Sequence, residues 1–190
     1  MTSSEPEDLL RRAAAGDREA FSQFVVSTRA RVFRYARTLA RSEADAEDVM
    51  QRTFVAAWRS APTFEGRSTA LAWLFTIARH AAIRAGRVPV GAPKTFESID
   101  APEIEALGCA AGFGDPEALA VEHEQTELLR AALAALDPED REVLTLRDVE
   151  GLSGPEVEAV LGLSRAGMKS RLHRARLRLL SALKETNHER

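Results

Sequence analysis

The chain has 190 residues, 45% hydrophobic and 29% charged, a balance that marks a folded globular protein and excludes a disordered one. Its single cysteine, Cys109, excludes a disulfide framework and a cysteine-built zinc site, and its four histidines lack metal-ligand spacing, so no metal or cofactor is expected. The net charge of −3 hides an uneven distribution: residues 1–93 hold 14 basic and 10 acidic side chains, residues 94–122 hold 1 and 7, and residues 123–190 hold 11 and 12.

The polar, acidic start Met1–Asp8 does not read as a signal peptide. Leu9–Ala15 reads as a short helical turn stopped by Gly16. Asp17 then caps a long helix whose apolar positions Phe21, Phe24, Val25, Val32, Tyr35, Ala36 and Leu39 recur at helical spacing. Ser42, with Asp45 three residues on, opens a helix from Glu43 to about Ser60, striped by Ala46, Val49, Met50, Thr53, Phe54, Ala57 and Trp58 and ended by Pro62. A loop over Ser60–Thr69 leads to a fourth helix, Thr69–Ala85. It is apolar almost all round, which predicts the centre of a bundle with Trp73 and Phe54 inside, and Gly86 stops it. The longest uncharged run, Ser68–Ala78, is 11 residues. A membrane span needs about 20, so the chain is expected to be soluble and cytoplasmic with no direct membrane insertion.

Prolines and glycines break any period between Arg87 and Asp115, and residues 94–122 are acidic. This stretch predicts a flexible tether between two small domains, 1–93 and 123–190. Asp115-Pro116 signals a helix running to Leu136, Asp137-Pro138 another over Glu139–Val149, and Ser153 with Glu156 a third. No stretch alternates with period two, so the predicted fold class is all-α.

The most specific pattern lies near the C-terminus. A short helix ends at Leu161, Gly162-Leu163-Ser164 makes a tight turn, and Ser164 caps a second helix, which is helix-turn-helix spacing. On that second helix Met168, Leu172, Ala175 and Leu179 fall on one inward stripe, leaving Arg165, Lys169, Ser170, His173, Arg174 and Arg176 outside. Arg165–Arg178 carries six basic residues and no acidic one. A helix with an apolar stripe and a basic stripe suits the major groove. The competing reading is a solvated amphipathic helix. No glycine-rich phosphate loop or catalytic triad appears, so the chain is not expected to be an enzyme. Two other readings stay open from the residues alone. One is a stand-alone helix-turn-helix regulator with an N-terminal sensing or dimerisation bundle, the other a helical interaction module.

Leu136–Leu144, Glu150–Ser153 and Lys169–Arg176 resemble region 4 of bacterial sigma factors of the sigma-70 family, and most of all the small extracytoplasmic-function group. Asp17–Phe21, Asp45–Gln51 with Phe54 and Trp58, and Trp73–Arg79 independently resemble region 2. The resemblance covers about residues 1–87 and 123–183 in the family's order. It implies a factor that binds core RNA polymerase and directs it to promoters through −10 and −35 elements. It implies that the helix over Ala46–Trp58 docks on the clamp helices of the polymerase largest subunit, with Glu47, Asp48, Gln51, Arg52 and Val55 facing outward. Arg52 stands where an acidic residue is usual in the family. The loop Pro62–Thr69 and the helix after it match the part that opens the −10 element, which nominates Phe64, Gly66, Arg67, Ser68, His80 and Arg84. His80 stands where Asn is common. The −35 contacts fall on Lys169, Ser170, His173 and Arg174, flanked by Arg165 and Arg176. An anti-sigma factor is the further partner the family implies.

Overall fold

A computed structural model of the chain describes residues 5–86 and 131–188. The described residues form helices and turns with no strand, as the absence of period-two patterning predicts.

Helix α1 (Glu5–Ala14) starts four residues earlier than the expected Leu9, because Pro6 sits in the first turn, where a missing amide hydrogen costs nothing. It buries Leu9, Leu10 and Ala13. Helix α2 (Arg18–Leu39) opens as expected on Asp17, whose carboxylate accepts from the Ala20 amide at 3.0 Å. That amide, then the Arg12 guanidinium at 2.7 Å, holds the Asp17 carboxyl below its usual range. Helix α3 (Glu43–Ser60) opens on Ser42, which accepts from the Asp45 amide at 3.2 Å. Pro62 does not stop the chain there. It sits inside a tight 3-10 turn, Ala61–Thr63, that continues α3 by one turn of narrower pitch. Helix α4 (Ala70–Arg84) is capped by Thr69 and closed by Gly86 at φ 65°.

Residues 131–135 are helical, and the rest of the helix expected from Asp115 lies outside the described residues, as does the acidic tether 94–122. Arg141 reaches back from the next helix to the Leu133, Ala134 and Leu136 carbonyls at 2.7–2.9 Å, and burial lowers its pKa to about 10. The single helix expected over Glu139–Val149 is two elements: α5 (Pro138–Leu144) and a wider π turn, Thr145–Val149. The Glu150 amide bonds to the Thr145 carbonyl at 2.8 Å, five residues back. The wide turn carries Leu146 fully into the core and Glu150 to a buried position. Helices α6 (Gly154–Leu161) and α7 (Arg165–His188) complete the chain.

The largest fully buried side chains of the N-terminal half are Tyr35, Phe24, Phe75, Leu10 and Leu74; Leu146, Val143 and Val157 are their counterparts in the other half. Tyr35 and Phe75 meet edge to face at 5.1 Å. Trp73 and Phe54, expected inside the bundle, are only half-buried against its rim. Trp73 and Phe75 lie two residues apart and so point in different directions from α4, and Phe75 faces the middle.

The halves are also not held apart. Helix α2 packs on α5, α4 packs on α6, and the buried side chains of both halves form one continuous cluster.

Candidate DNA and polymerase interfaces

Local capping builds the helix-turn-helix. Ser153 and Glu156 form a reciprocal capping box at the start of α6, the Ser153 amide donating to the Glu156 carboxylate at 2.8 Å. Burial pushes the Glu156 pKa up, but hydrogen bonds from Ser153 and Thr69 outweigh it and leave the group below its usual range. Gly162 ends α6 at φ 66°, a left-handed position that a side chain resists. The Ser164 hydroxyl then accepts from the Gly167 amide at 3.1 Å and starts α7. Gly154 lets α6 lie close on α7: a Cβ there meets the Met168 methyl at 3.2 Å.

Helix α7 divides as its spacing predicts. Met168, Leu172 and Ala175 are buried and Leu179 packs on the core. Arg165, Lys169, Ser170, His173, Arg174 and Arg176 are all exposed. Arg176 is already engaged, donating to Asp148 at 2.6 and 2.9 Å, and this hydrogen-bonded pair raises its pKa. Arg171 and Arg178 anchor α7 to α5 through Glu139, Asp137 and Asp140. Lys169, Ser170, His173 and Arg174 make no side-chain hydrogen bond or ion pair among the described residues, so one patch of cationic and polar groups stays available.

The loop after α3 brings together part of its candidate set. Gly66, at φ 69°, turns the chain, and Arg67 pairs with Glu65 at 2.6 Å on an exposed tip beside Ser68. Phe64 is half-buried and packs on Trp73 with ring centroids 5.3 Å apart. His80 and Arg84 are exposed further along α4. Trp73 is thus a ring of the loop surface rather than of the core. The loop's end is tied on two sides: the Ala70 amide donates to Glu7 of α1 at 3.1 Å, and the Thr69 hydroxyl donates to Glu156 of α6.

On α3, Glu47, Gln51, Arg52 and Val55 are exposed and Asp48 is half-buried, bonded to Arg52 at 2.9 Å. Val55 is 52% exposed, and the next exposed apolar side chain on that helix, Trp58, covers Phe21 at 4.9 Å. The face is mixed: acidic and polar at one end, apolar at the other.

Sequence reasoning did not single out the polar contacts between the halves. The Glu150 carboxylate has 0% exposure and accepts from Arg31 and Arg34, each at 2.7 Å, and Arg31 also donates to the Glu150 carbonyl. Glu142 accepts from the Tyr35 hydroxyl at 2.7 Å and from Arg79 at 3.0 Å. Burial raises the Glu142 pKa, and burial beside that carboxylate raises Tyr35 well above its usual range. These partners lie 63–119 residues apart in sequence, so no spacing rule finds them. Among the described residues no acidic or histidine cluster could hold a metal, and no helix is long and apolar enough to cross a membrane.

Comparison with known proteins agrees with this arrangement. Residues 24–87 match the family Sigma-70 region 2, and residues 126–179 match Sigma-70, region 4. The RNA polymerase sigma factor CnrH of Cupriavidus metallidurans is 34% identical over 190 residues, covering 97% of this chain and 99% of its own. The ECF RNA polymerase sigma-E factor of Escherichia coli K12 is 30% identical over 172 residues, 88% of each chain. Among solved structures, CnrH in complex with the cytosolic domain of CnrY has a TM-score of 0.65 at 29% identity, covering 97% of this chain and 99% of that one. The sigma factor RpoE of Bartonella quintana, bound to the anti-sigma factor NepR, has a TM-score of 0.63 at 26% identity, covering 86% and 96%.

Proposed function

The chain belongs to the extracytoplasmic-function group of the sigma-70 family, and from that premise we propose how its residues divide the work of initiation. It is a transcription initiation factor that binds core RNA polymerase and directs it to promoters. RNA synthesis is the polymerase's chemistry; this chain supplies recognition and opening.

Two modules run in family order along nearly the whole length of a sigma factor, and the C-terminal one ends in a helix with a buried stripe and a free basic stripe. That observation carries the reading. Helix α7 enters the major groove of the −35 element, with Lys169, Ser170, His173 and Arg174 nearest the bases and Arg165 and Arg176 at the flanks. Arginine suits this place because its fork meets guanine O6 and N7 together.

The loop Pro62–Thr69 opens the −10 element. Taking a base out of the stack costs a few kcal/mol, and an aromatic face recovers part of it. Phe64 with Trp73 beneath it forms such a face, Gly66 lets the backbone approach, and Arg67 and Ser68 offer a phosphate partner and a hydrogen bond. His80 and Arg84 continue the surface along α4.

The exposed face of α3, through Glu47, Asp48, Gln51, Arg52 and Val55, docks on the clamp helices of the polymerase largest subunit. An anti-sigma factor is the further partner, as the solved complexes of similar sigma factors illustrate. Residues 1–93 and 123–190 act as the two modules, working in the cytoplasm.

Run-off transcription with purified core polymerase tests the whole reading. A promoter-specific transcript that appears only when the chain is added supports it. Tight sequence-specific DNA binding with no polymerase and no transcript returns the stand-alone regulator.

A further inference from the structure

We propose that α1 is a working part of the −10 apparatus, and that Glu7 is the positioning residue through which it sets the opening loop. The inference rests on the −10 assignment above; the geometry that ties α1 to the loop does not.

The loop is held only at its ends. Pro62–Thr69 is exposed along its length apart from half-buried Phe64, and it hangs between Ala61 and Ala70, which have no exposed surface. A segment with so few buried contacts takes its position from its anchors. Both anchors meet α1. The helix packs on the Ala61–Thr63 turn and on α4, and its buried Leu9 and Leu10 join the same apolar cluster as Ala61 and Ala70. Helix α1 precedes residues 24–87, the part matched to region 2, so that match assigns it no task.

The first turn of α4 shows what Glu7 adds. A helix begins with amides that have no partner inside it. Thr69 already caps α4, its hydroxyl accepting from the Ala72 amide at 3.3 Å. Glu7 accepts from the Ala70 amide at 3.1 Å, and it comes from another helix, 63 residues earlier. A local cap fixes the start of a helix; a cap from a neighbouring helix fixes where that start lies. The carboxylate also suits the positive end of the α4 dipole. The other oxygen of Glu7 is buried with no hydrogen-bond partner among the described residues. Burying a carboxylate oxygen in this way costs stability, so stability alone does not account for a glutamate here. Glu156 reaches Thr69 as well, but from the C-terminal half. Glu7 is the tie within the N-terminal half, to which the loop belongs.

What the tie controls is the ring face. Phe64 hangs from the first anchor, its amide bonded to the Ala61 carbonyl at 3.0 Å. Trp73 hangs from the second, one turn after Ala70, its amide bonded to the Thr69 carbonyl at 3.0 Å. The two rings meet at 5.3 Å. Because α1 touches both anchors, it fixes the separation of the two rings. A binding face must be held to about 0.5 Å by its supports, and releasing one anchor lets the rings slide past each other.

The test uses the full-length chain with core polymerase and promoter DNA. It reads permanganate reactivity of unpaired thymines, affinity for core polymerase and the melting midpoint. Glu7→Met keeps the length of the side chain and removes the acceptor. It should lower the open-complex signal several-fold while leaving core affinity unchanged and the midpoint level or higher, because a buried unpaired oxygen is gone. Glu7→Gln keeps an acceptor and should recover most of the signal. Ala70→Pro removes the same bond from the other side. Proline suits the first position of a helix, and Thr69, at ψ 152°, already has the backbone that a following proline needs. It should reproduce the defect, adding Glu7→Met should make it no worse, and it serves as the test variant should Glu7→Met fail to fold. Asp8→Ala, which removes an exposed carboxylate bonded only to Arg11 among the described residues, should behave as the unmutated chain. A folded Glu7→Met variant with full opening overturns the proposal. A Glu7→Met variant that loses opening, core affinity and midpoint together also overturns it, because Glu7 is then structural only. So does a Glu7→Gln variant that opens no better than Glu7→Met. Trp73→Ala reads the −10 assignment separately. Unchanged opening in that variant overturns the assignment and the proposal with it, whereas opening lost there and kept in Glu7→Met overturns the role of Glu7 alone.

Discussion

The N-terminal bundle and the C-terminal helix-turn-helix use the same capping chemistry but present their functional side chains in different ways. In the C-terminal module one helix does everything: Met168, Leu172 and Ala175 go in, while Lys169, Ser170, His173 and Arg174 stay out. In the bundle the candidates are spread over α3, a loop and α4, and aromatic rings serve both core and surface. Phe24, Tyr35 and Phe75 are sealed inside, whereas Phe64, Trp73 and Trp58 lie at the rim, Phe64 against Trp73 and Trp58 against Phe21. A single helix on a small core separates its buried stripe from its exposed one, whereas the bundle sets aromatic rings on both sides of that boundary.

The largest expected effect breaks the bundle by its true core. Phe75→Ala should cost about 3–5 kcal/mol, as large-to-small core changes do, and lower the melting midpoint sharply. Trp73→Ala, at the rim, should cost clearly less and instead impair promoter opening, read by permanganate reactivity of unpaired thymines. Equal thermal losses from the two would erase the distinction between core and rim rings. The C-terminal counterpart is Leu172→Ala, expected to cost about 2–3 kcal/mol by the same reasoning, and Gly162→Ala, about 1–2 kcal/mol for a side chain forced into the left-handed region.

What the sequence made legible follows the same divide. Caps at Asp17, Ser42, Thr69, Ser153 and Ser164 fall where short polar side chains precede apolar periodicity, and the structure forms helices there. The inward stripe of α7 needed only its period. Periodicity ranks positions by angle around a helix, so it marked Trp73 and Phe54 as apolar without telling core from rim. It treated Glu139–Val149 as one helix because a π turn keeps the same composition while shifting the phase. The polar contacts between the halves were invisible for a different reason. Nothing in the local sequence marks Glu142 and Glu150 for burial; α2 and α4 supply the cations, from residues 31, 34 and 79, and only the tertiary fold brings these together.

Recognition can be separated from stability on α7 itself. Arg174→Ala should leave the melting curve within about 0.5 kcal/mol, as exposed changes do, while costing about 1–3 kcal/mol of discrimination at one −35 position through a lost guanine contact. Transcription across a panel of −35 variants reads it. Unchanged output on every variant, with the fold intact, would remove this helix from the promoter contact. Lys169→Ala should act differently if it meets only phosphate: weaker on all sequences alike, with a salt slope shallower by about 1.

The smallest effect is the most discriminating, because Arg176 is exposed on the side of α7 proposed to face DNA but is held by Asp148 with two bonds at 2.6 and 2.9 Å. An exposed pair of this kind contributes only about 0–1 kcal/mol to stability, so cutting it should barely move the melting midpoint. Its effect on DNA depends on which role Arg176 serves. If the arginine is a phosphate contact restrained by Asp148, Asp148→Asn removes a negative charge beside the duplex and releases a cation toward it. Affinity should then rise and the salt slope steepen, while Arg176→Ala lowers both. If Arg176 serves only to fasten α7 to the π turn, both substitutions should leave the salt slope unaltered and give the same slight thermal loss. Titration of −35 duplex at three salt concentrations separates these outcomes. It also shows whether the recognition surface is confined to Lys169, Ser170, His173 and Arg174 or takes in Arg176, two residues further along the helix.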